Sequence, residues 1–196
     1  MPPNRRQVAL GLFAGALASP LLAARAHAQG LPEGLVPTPS CADDDEVTPA
    51  QTEGPYFSAN SPLRNDFTED GRGEQLLIGG TVVDTACKPI SGAMLELWHA
   101  DAEGNYDNQG YRYRGHSFSD DQGRWWFDTI VPGLYPGRTR HYHIKLQRPG
   151  GAPLTTQLYF PEEPQNGQDR IFDRSLLLRL SGGEGERYGL FDFVLA

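Results

Sequence analysis

The sequence has few of the residues on which several common kinds of site depend. It contains two cysteines in 196 residues, and no CxxC motif typical of thiol-based zinc or redox sites is present. Positive charge is also scarce, because 17 Lys and Arg residues against 25 Asp and Glu give a formal net charge of −8. This balance does not favour nucleic-acid binding by electrostatic attraction. The 23 glycines and 16 prolines also make long helices unexpected.

Long apolar runs are nearly absent, and the one weakly apolar run lies near the N-terminus, after Arg5 and Arg6. It is about 17 residues long and is interrupted by glycine, serine and proline, so a stable membrane anchor is not expected. The small residues of Ala26-His27-Ala28 offer a cleavage site. We therefore predict that residues 1–28 are a signal peptide that is removed from the mature protein.

The adjacent arginines resemble a twin-arginine export signal, although Asn4 stands where Ser or Thr often precedes the pair. This resemblance implies that the protein is exported already folded, to the periplasm or out of the cell. Residues 29–50 are rich in proline and then acidic, which predicts an extended, solvated arm. In an exported protein, Cys41 and Cys87 could form one disulfide; the alternative is two unpaired thiols.

Residues 51–196 have the pattern of a single all-β domain. Short β-branched or alternating segments are separated by turns rich in Gly, Pro, Asn and Asp, which is typical of a β-sandwich with mostly antiparallel strands. The predicted strands are LLIGGTVVD, AMLELWHA, GRWWFDTIV, HYHIKLQR, TTQLYF and GLFDFVLA. One weak helical candidate spans 169–178.

Two histidines in the fourth of these segments are separated by one residue. Alternate residues of a strand point to the same face, so His141 and His143 project side by side, about 6.6 Å apart at the backbone. Two imidazoles in this arrangement can bind one metal ion, although such pairs also occur without a metal. His99 is expected to be a hydrogen-bonded core or edge residue, and His116 is expected to lie exposed in a turn.

Several motifs in a fixed order add to the histidine pair. They are TPAQTEGPY, WHADAEGNY, PGLYPGR, HYH and TTQLYFPEEP. In this order they resemble the intradiol ring-cleavage dioxygenases, the family of catechol and protocatechuate dioxygenases. The resemblance extends over residues 48–196.

The resemblance implies which residues bind the metal, which are catalytic and which bind the substrate. The iron ligands are Tyr106, Tyr135, His141 and His143; the catalytic residues are Arg138, Tyr135 and Gln157; the substrate-binding residues are Thr52, Gly54, Pro55 and Tyr56. In some family members this last segment comes from a partner chain, so a homo-oligomer is left open.

The ligand set favours Fe(III). A tyrosine has a pKa near 10, so holding a phenolate at pH 7 costs about 4 kcal/mol unless a cation offsets it. Hard phenolate oxygens suit a hard, highly charged ion, imidazole also suits iron, and Tyr is not a usual zinc ligand. The resemblance then implies a catechol-type substrate that reacts with O2 and opens between its hydroxylated carbons to a muconate-type diacid.

The sequence departs from the well-known cytoplasmic family members in two ways. Only five residues separate Tyr135 from His141, and the long N-terminal helical dimerisation segment of catechol dioxygenases is missing. The short form resembles exported single-domain relatives. Catechol, protocatechuate, hydroxyquinol and larger lignin-derived catechols all remain candidate substrates; a protocatechuate carboxylate would need a cation, for which Arg64, Arg112 and Arg114 are the candidates.

Two other interpretations remain open from the sequence. One is an exported transthyretin-like β-sandwich that binds a partner without iron, and the other is a copper protein that uses the His-x-His pair. The tyrosine pair discriminates between them, because iron bound to tyrosinate is coloured whereas a metal-free binding module is not.

Overall fold

The structure is a computed structural model and describes residues 47–183 and 186–196. The predicted signal peptide, 1–28, and nearly all of the predicted arm, 29–50, lie outside the described residues. So does Cys41, and the Cys41–Cys87 disulfide therefore stays a prediction. Among the described residues there is no helix long and apolar enough to cross a membrane.

The described residues form nine β-strands and three short 3₁₀ helices, and no α-helix. In chain order the strands are β1 (Gln75–Asp84), β2 (Met94–Trp98), β3 (Arg114–Phe118), β4 (Arg124–Ile130), β5 (His141–Gln147), β6 (Leu154–Tyr159), β7 (Arg179–Gly183), β8 (Glu186–Leu190) and β9 (Phe193–Leu195). The 3₁₀ helices are Thr68–Asp70, Pro164–Gly167 and Arg174–Leu176.

The strands form two sheets, which confirms the all-β sandwich. The first has the order β4-β1-β8-β7, with β9 also paired to β1 in parallel; the second has the order β3-β2-β5-β6 and is antiparallel throughout. Side chains of both sheets pack into one core cluster, which includes Ile78, Phe127, Leu97 and Ile144. Alternate residues of β2 and β5 therefore face the core, and the others face outward.

The weak helix expected over 169–178 is wrong. The segment contains only the 3₁₀ turn Arg174–Leu176, in which the Asp173 side chain accepts a hydrogen bond from the Ser175 backbone N–H. The Asp169 carboxylate accepts from the Ile171 N–H in the same way. Side chains of this kind compete with helical hydrogen bonds for the backbone, so turns form instead.

Six strands were predicted and nine are present among the described residues: the strand expected over 189–196 is divided between the end of β8 and β9, and two further strands, β3 and β7, were not predicted. β3 is a short polar edge strand, and β7 has the sequence RLSGG, so neither carries the β-branched pattern that indicates a strand. The end of the predicted arm is also attached to the domain: the Thr48 N–H donates to the Val194 carbonyl at 3.0 Å.

Candidate metal centre

The outer face of β5 carries the two predicted histidine ligands. Tyr142 and Ile144 point into the core, whereas His141 and His143 point to the other side of the sheet, as the alternation predicted. Both are nevertheless almost fully buried, with 4% and 3% of their surface exposed. The loops between the strands therefore cover this face of the sheet.

Three atoms of the predicted ligands converge above this face. Tyr106 Oη, in the loop after β2, lies 3.2 Å from His141 Nε2 and 3.2 Å from His143 Nε2, and the two Nε2 atoms are 3.1 Å apart. Atoms that are each about 2.1 Å from one ion, at angles between 90° and the tetrahedral value, lie roughly 3.0–3.4 Å apart. The triangle therefore has the dimensions of part of a metal coordination shell.

Protonation favours a cation at the centre of this triangle. His141 Nδ1 donates to the Thr139 carbonyl at 2.6 Å, so the neutral ring presents a lone pair at Nε2. Burial lowers the pKa of His141 to about 4 and that of His143 well below its ordinary value, so both rings are neutral at pH 7, as metal binding requires. Burial raises the pKa of Tyr106, so a phenolate there needs a nearby cation.

Tyrosine is an essential part of this ligand set. In the described part of the chain, no group of three or more His, Cys, Asp and Glu side chains is placed to hold a metal ion. A metal at this position would therefore need a phenolic oxygen as a third ligand, which is unusual for zinc and suits a hard ion such as Fe(III).

Tyr135 lies beside the triangle, and its hydroxyl group contacts another tyrosine. Its ring is 5.8 Å from that of Tyr106 in an edge-to-face arrangement, and its Oη lies 2.7 Å from Tyr56 Oη. Tyr56 in turn stacks on Tyr106, with ring centroids 4.4 Å apart and planes at 15°. The structure thus brings Tyr106, His141 and His143 into mutual contact, and places Tyr135 next to them with its hydroxyl bonded to Tyr56.

The two tyrosine loops meet through a pair of glycines. A Cβ built on Gly104, which has φ +88°, would lie 2.2 Å from the Leu134 carbonyl oxygen, and one on Gly133 would lie 2.3 Å from the Gly104 nitrogen. The Gly133 N–H also donates to the Asp101 carbonyl at 2.7 Å. The loops that present Tyr106 and Tyr135 can therefore approach only because both positions lack a side chain.

Arg138 is held beside Tyr135 by two side chains. Its Nε donates to Asp169 Oδ2 at 2.8 Å and its Nη2 donates to Gln157 Oε1 at 2.7 Å, so the guanidinium has a fixed orientation. Gln157 lies on β6 directly opposite His143, and its Nε2 donates to the Thr52 carbonyl at 2.9 Å. A cavity of about 330 Å³ is lined by Tyr135, Arg138 and Asp169, among others.

The predicted substrate segment lies over the histidines and comes from the same chain. Gly54 has φ +71°, and a Cβ built on it would lie 3.4 Å from His143 Cε1, so the backbone passes close to the imidazole. Glu53 forms an ion pair with Lys145 of β5. Thr52 and Pro55 are exposed, and Tyr56 is half-buried against Tyr106.

Sequence reasoning missed three residues that support the site. Trp98 of β2 lies directly opposite His143 and stacks on its ring at 4.9 Å and 8°; His143 Nδ1 has no hydrogen-bond partner among the described residues, so stacking helps to orient this ring. Thr139 supplies the carbonyl for His141, and Asp169 pairs with Arg138. Only the pairing of β2 with β5 identifies Trp98, and no local signal indicates the pairing of Asp169 with Arg138.

His99, His116 and the three arginines considered for a substrate carboxylate all have partners within the described domain. His99 is buried between the Ala100 carbonyl and the Thr129 hydroxyl, as expected, whereas the expectation of an exposed turn at His116 is wrong: this residue is half-buried in β3 and contacts Ser61. Arg64 is paired with Asp70, Arg112 lies 3.6 Å from Asp101, and Arg114 is buried and donates to backbone carbonyls.

Comparison with known proteins identifies the family. A family model described as a dioxygenase matches residues 52–175. The hydroxyquinol 1,2-dioxygenase of a Rhizobium species is 28% identical over 61% of this chain and 50% of its own length. The protocatechuate 3,4-dioxygenase beta chain of Burkholderia cepacia is 32% identical over 60% of this chain and 61% of its own length.

A solved structure is more similar. The dioxygenase domain of a dioxygenase–carbohydrate-binding protein fusion, from the cellulolytic bacterium Streptomyces sp. SirexAA-E, is 50% identical with a TM-score of 0.74, and the alignment covers 76% of this chain and 98% of that chain. The chain belongs to the intradiol ring-cleavage dioxygenase family. It spans about half the length of the hydroxyquinol and catechol dioxygenases that it matches.

Proposed function

We propose that this protein is an Fe(III)-dependent intradiol dioxygenase that cleaves catechol-type rings with O2 to muconate-type diacids. The observation that supports this most directly is the convergence of Tyr106 Oη, His141 Nε2 and His143 Nε2 at 3.1–3.2 Å from one another. Two neutral imidazoles and a phenol, with no further His, Cys, Asp or Glu side chain among the described residues placed to complete a metal site with them, form a ligand set that suits iron.

Tyr106, Tyr135, His141 and His143 would hold the ion. Ferric iron bound by these residues would draw the two catechol oxygens to it and make the ring electron-rich enough to react with O2. Holding the substrate at a fixed place beside the reacting groups supplies the proximity on which the rate depends.

Tyr135 is the proposed proton acceptor. Its ring belongs to the loop before β5, and its hydroxyl contacts the Tyr56 hydroxyl at 2.7 Å. As a phenolate, Tyr135 Oη would take up one of the substrate's phenolic protons, and the Tyr56 hydroxyl would keep it oriented.

Arg138 is the proposed electrostatic stabiliser. Asp169 and Gln157 fix the guanidinium before substrate arrives, and the Arg138 side chain is only 20% exposed. A positive charge that is already oriented in a partly dry site stabilises the anion that develops on the substrate without a reorganisation cost. Gln157 would maintain this geometry, because it contacts Arg138 and the Thr52 backbone at once.

We also propose that the protein is exported through its first 28 residues, by a twin-arginine route, to the periplasm or the medium. The support is the Arg5-Arg6 pair, the short apolar run and the Ala26-His27-Ala28 site. Detection of mature protein that begins at Gln29 outside the cytoplasm, and its loss when both arginines become lysines, would test the route.

The decisive experiment for the reaction is spectroscopic. Purified protein should contain about one iron per chain and show a broad visible band, which should shift when catechol is added without O2. Admission of O2 should then yield the ring-opened diacid. A colourless protein that stays iron-free after reconstitution would contradict the proposal and favour the transthyretin-like binding module, whereas stoichiometric copper would favour the copper protein.

A further inference from the structure

Arg114 is a buried cation that the proposed reaction does not use. It lies on β3 with 1% of its surface exposed, and no carboxylate forms an ion pair with it within the described residues. Burying a guanidinium is costly unless its donors are satisfied, and burial lowers the pKa of Arg114. A residue buried at such a cost needs a structural or functional reason.

Its three side-chain hydrogen bonds go to two backbone carbonyls. Nη1 donates to the Tyr56 carbonyl at 2.5 Å, and Nε and Nη2 donate to the Asp107 carbonyl at 3.1 and 2.8 Å. The planar guanidinium thus joins two segments that are 51 residues apart in sequence. A lysine ammonium lacks this fixed fork of donors.

Both segments carry tyrosines of the metal centre. Asp107 directly follows Tyr106, and Tyr56 is the residue that stacks on Tyr106 and contacts Tyr135. Arg114 therefore donates to the backbone of Tyr56, one residue of the stacked pair, and to the backbone of Asp107, which follows the other residue, Tyr106.

The Asp107 carbonyl is a rigid acceptor. The Asp107 side chain closes its own turn, because Oδ1 accepts from the backbone N–H groups of Gln109 and Gly110, and Oδ2 accepts from that of Arg112. A guanidinium fixed to this carbonyl can therefore fix the direction in which the preceding residue leaves the turn.

We propose that Arg114 is a positioning residue that sets the orientation of the Tyr106 hydroxyl toward His141 and His143 by holding the Tyr56 and Asp107 carbonyls together. This inference rests on the proposed metal centre. Arg114 touches neither substrate nor metal, and its effect passes through the backbone on either side of the Tyr56–Tyr106 stack.

The test compares Arg114→Met and Arg114→Lys with Arg179→Met. Arg179 lies on β7, in the other sheet, and forms an ion pair with buried Asp192 at 2.7 Å. Replacing Arg179 therefore also removes a charged hydrogen bond but leaves the metal centre untouched. Thermal stability, iron affinity by chelator competition and the visible spectrum are measured for all three. Hydrogen exchange of residues 104–110 is measured in the metal-free proteins.

We expect Arg114→Met to lower iron affinity about 10–100-fold, to shift the visible band and to speed exchange of residues 104–110. Arg179→Met should lower stability and leave the other three readouts unchanged. Arg114→Lys should fold, and its iron affinity, visible band and exchange rate should lie between those of wild type and Arg114→Met. If Arg114→Met does not fold, Arg114→Lys alone tests the inference.

Unchanged exchange and an unchanged band in the Arg114 variants would overturn the inference. Failure of the metal centre itself has a different signature, because the wild type would then lack the band. Exchange in the metal-free Arg114 variants would still report whether this residue holds the Tyr106 segment.

Discussion

At the scale of single residues, the candidate centre depends on atoms whose hydrogen bonds leave lone pairs directed at one point. His141 is the clearest case, since its Nδ1–H donates to the Thr139 carbonyl and the lone pair on Nε2 is left to bind. Tyr106 completes the triangle at 3.2 Å from both imidazoles. Each of these atoms is therefore a separate candidate ligand, which makes it possible to test them one at a time.

Tyr106→Phe removes one corner of the triangle without changing the ring. Loss of a residue that only supports a ligand typically costs about 10–100-fold in metal affinity. We therefore expect loss of a ligand to lower iron affinity by more than about 100-fold, and the visible band to weaken or disappear. Tyr111→Phe is the matched control, because Tyr111 is exposed and its hydroxyl donates only to the Ala59 carbonyl. Iron titration followed by absorbance measures both, and full affinity in Tyr106→Phe would show that Tyr106 is not a ligand.

Asp169 gives a prediction for pH. Burial raises the pKa of its carboxyl, but hydrogen bonds from the Thr139 and Ile171 backbone N–H groups and from Arg138 outweigh burial, so the pKa lies below its ordinary value of 3.8. A group with a lowered folded pKa stabilises the protein above its unfolded pKa and loses that contribution as the pH falls. We expect Asp169→Asn to cost about 1–3 kcal/mol at pH 7, from the loss of charged hydrogen bonds.

Urea unfolding of wild type and Asp169→Asn from pH 7 to pH 3 measures this contribution. The difference in free energy of unfolding should stay constant down to about pH 4–5 and shrink below that. A difference that grows as the pH falls would contradict the assigned direction of the pKa shift.

At the scale of elements, the site is assembled from loops that the second sheet holds in register. Trp98, His143 and Gln157 lie directly opposite one another on β2, β5 and β6, so one row across the sheet carries the aromatic support, a proposed ligand and the amide that holds Arg138. Antiparallel pairing brings directly opposite side chains to about 5 Å, which is why these residues interact.

Gly104→Ala tests whether the crossing of the two tyrosine loops positions the ligands. The new Cβ would meet the Leu134 carbonyl oxygen at 2.2 Å, so the loops must separate. Gly137→Ala is the matched control, because Gly137 also has positive φ, at +81°, but nothing lies within 4 Å of a Cβ there. Both variants bear the cost of the backbone conformation, about 1–2 kcal/mol, and only Gly104→Ala adds a clash of about 1–3 kcal/mol.

Thermal unfolding and iron titration measure the two effects. Gly104→Ala should be the less stable variant and should bind iron more weakly, whereas Gly137→Ala should keep iron affinity near that of wild type. Equal iron affinities in the two variants would mean that the loop crossing does not position the centre.

At the scale of the whole molecule, the two faces of β5 have different roles. One face packs into the core of the sandwich, and the other carries the two histidines of the candidate metal centre. Tyr142, between the two histidines in sequence, is fully buried and donates its hydroxyl to the Ile130 carbonyl at 2.7 Å. That carbonyl is at the end of β4, in the other sheet, so Tyr142 links the two sheets while its neighbours contribute to the candidate metal centre.

Tyr142→Phe should therefore change stability alone. Loss of this hydrogen bond leaves a buried carbonyl without its partner, and we expect a cost of about 1–3 kcal/mol in the free energy of unfolding. Iron affinity and the visible band should stay as in wild type, because the ring faces away from the histidines. A marked loss of iron affinity in a folded Tyr142→Phe protein would show that the two faces are coupled.

The sequence by itself determined the all-β fold and the shared face of His141 and His143, because strand alternation is a local property that residues of one segment set. The motifs also predicted Tyr106, Tyr135, Arg138 and Gln157 as site residues. The structure brings all four to one region of the second sheet.

Only the tertiary structure decided which atoms meet. Trp98 supports His143 because β2 pairs with β5 in one register, Asp169 fixes Arg138 across 31 residues of sequence, and Arg114 joins carbonyls from two loops. These contacts follow from how strands pair and loops cross, and pairings between distant segments leave no periodic signal in any one of them.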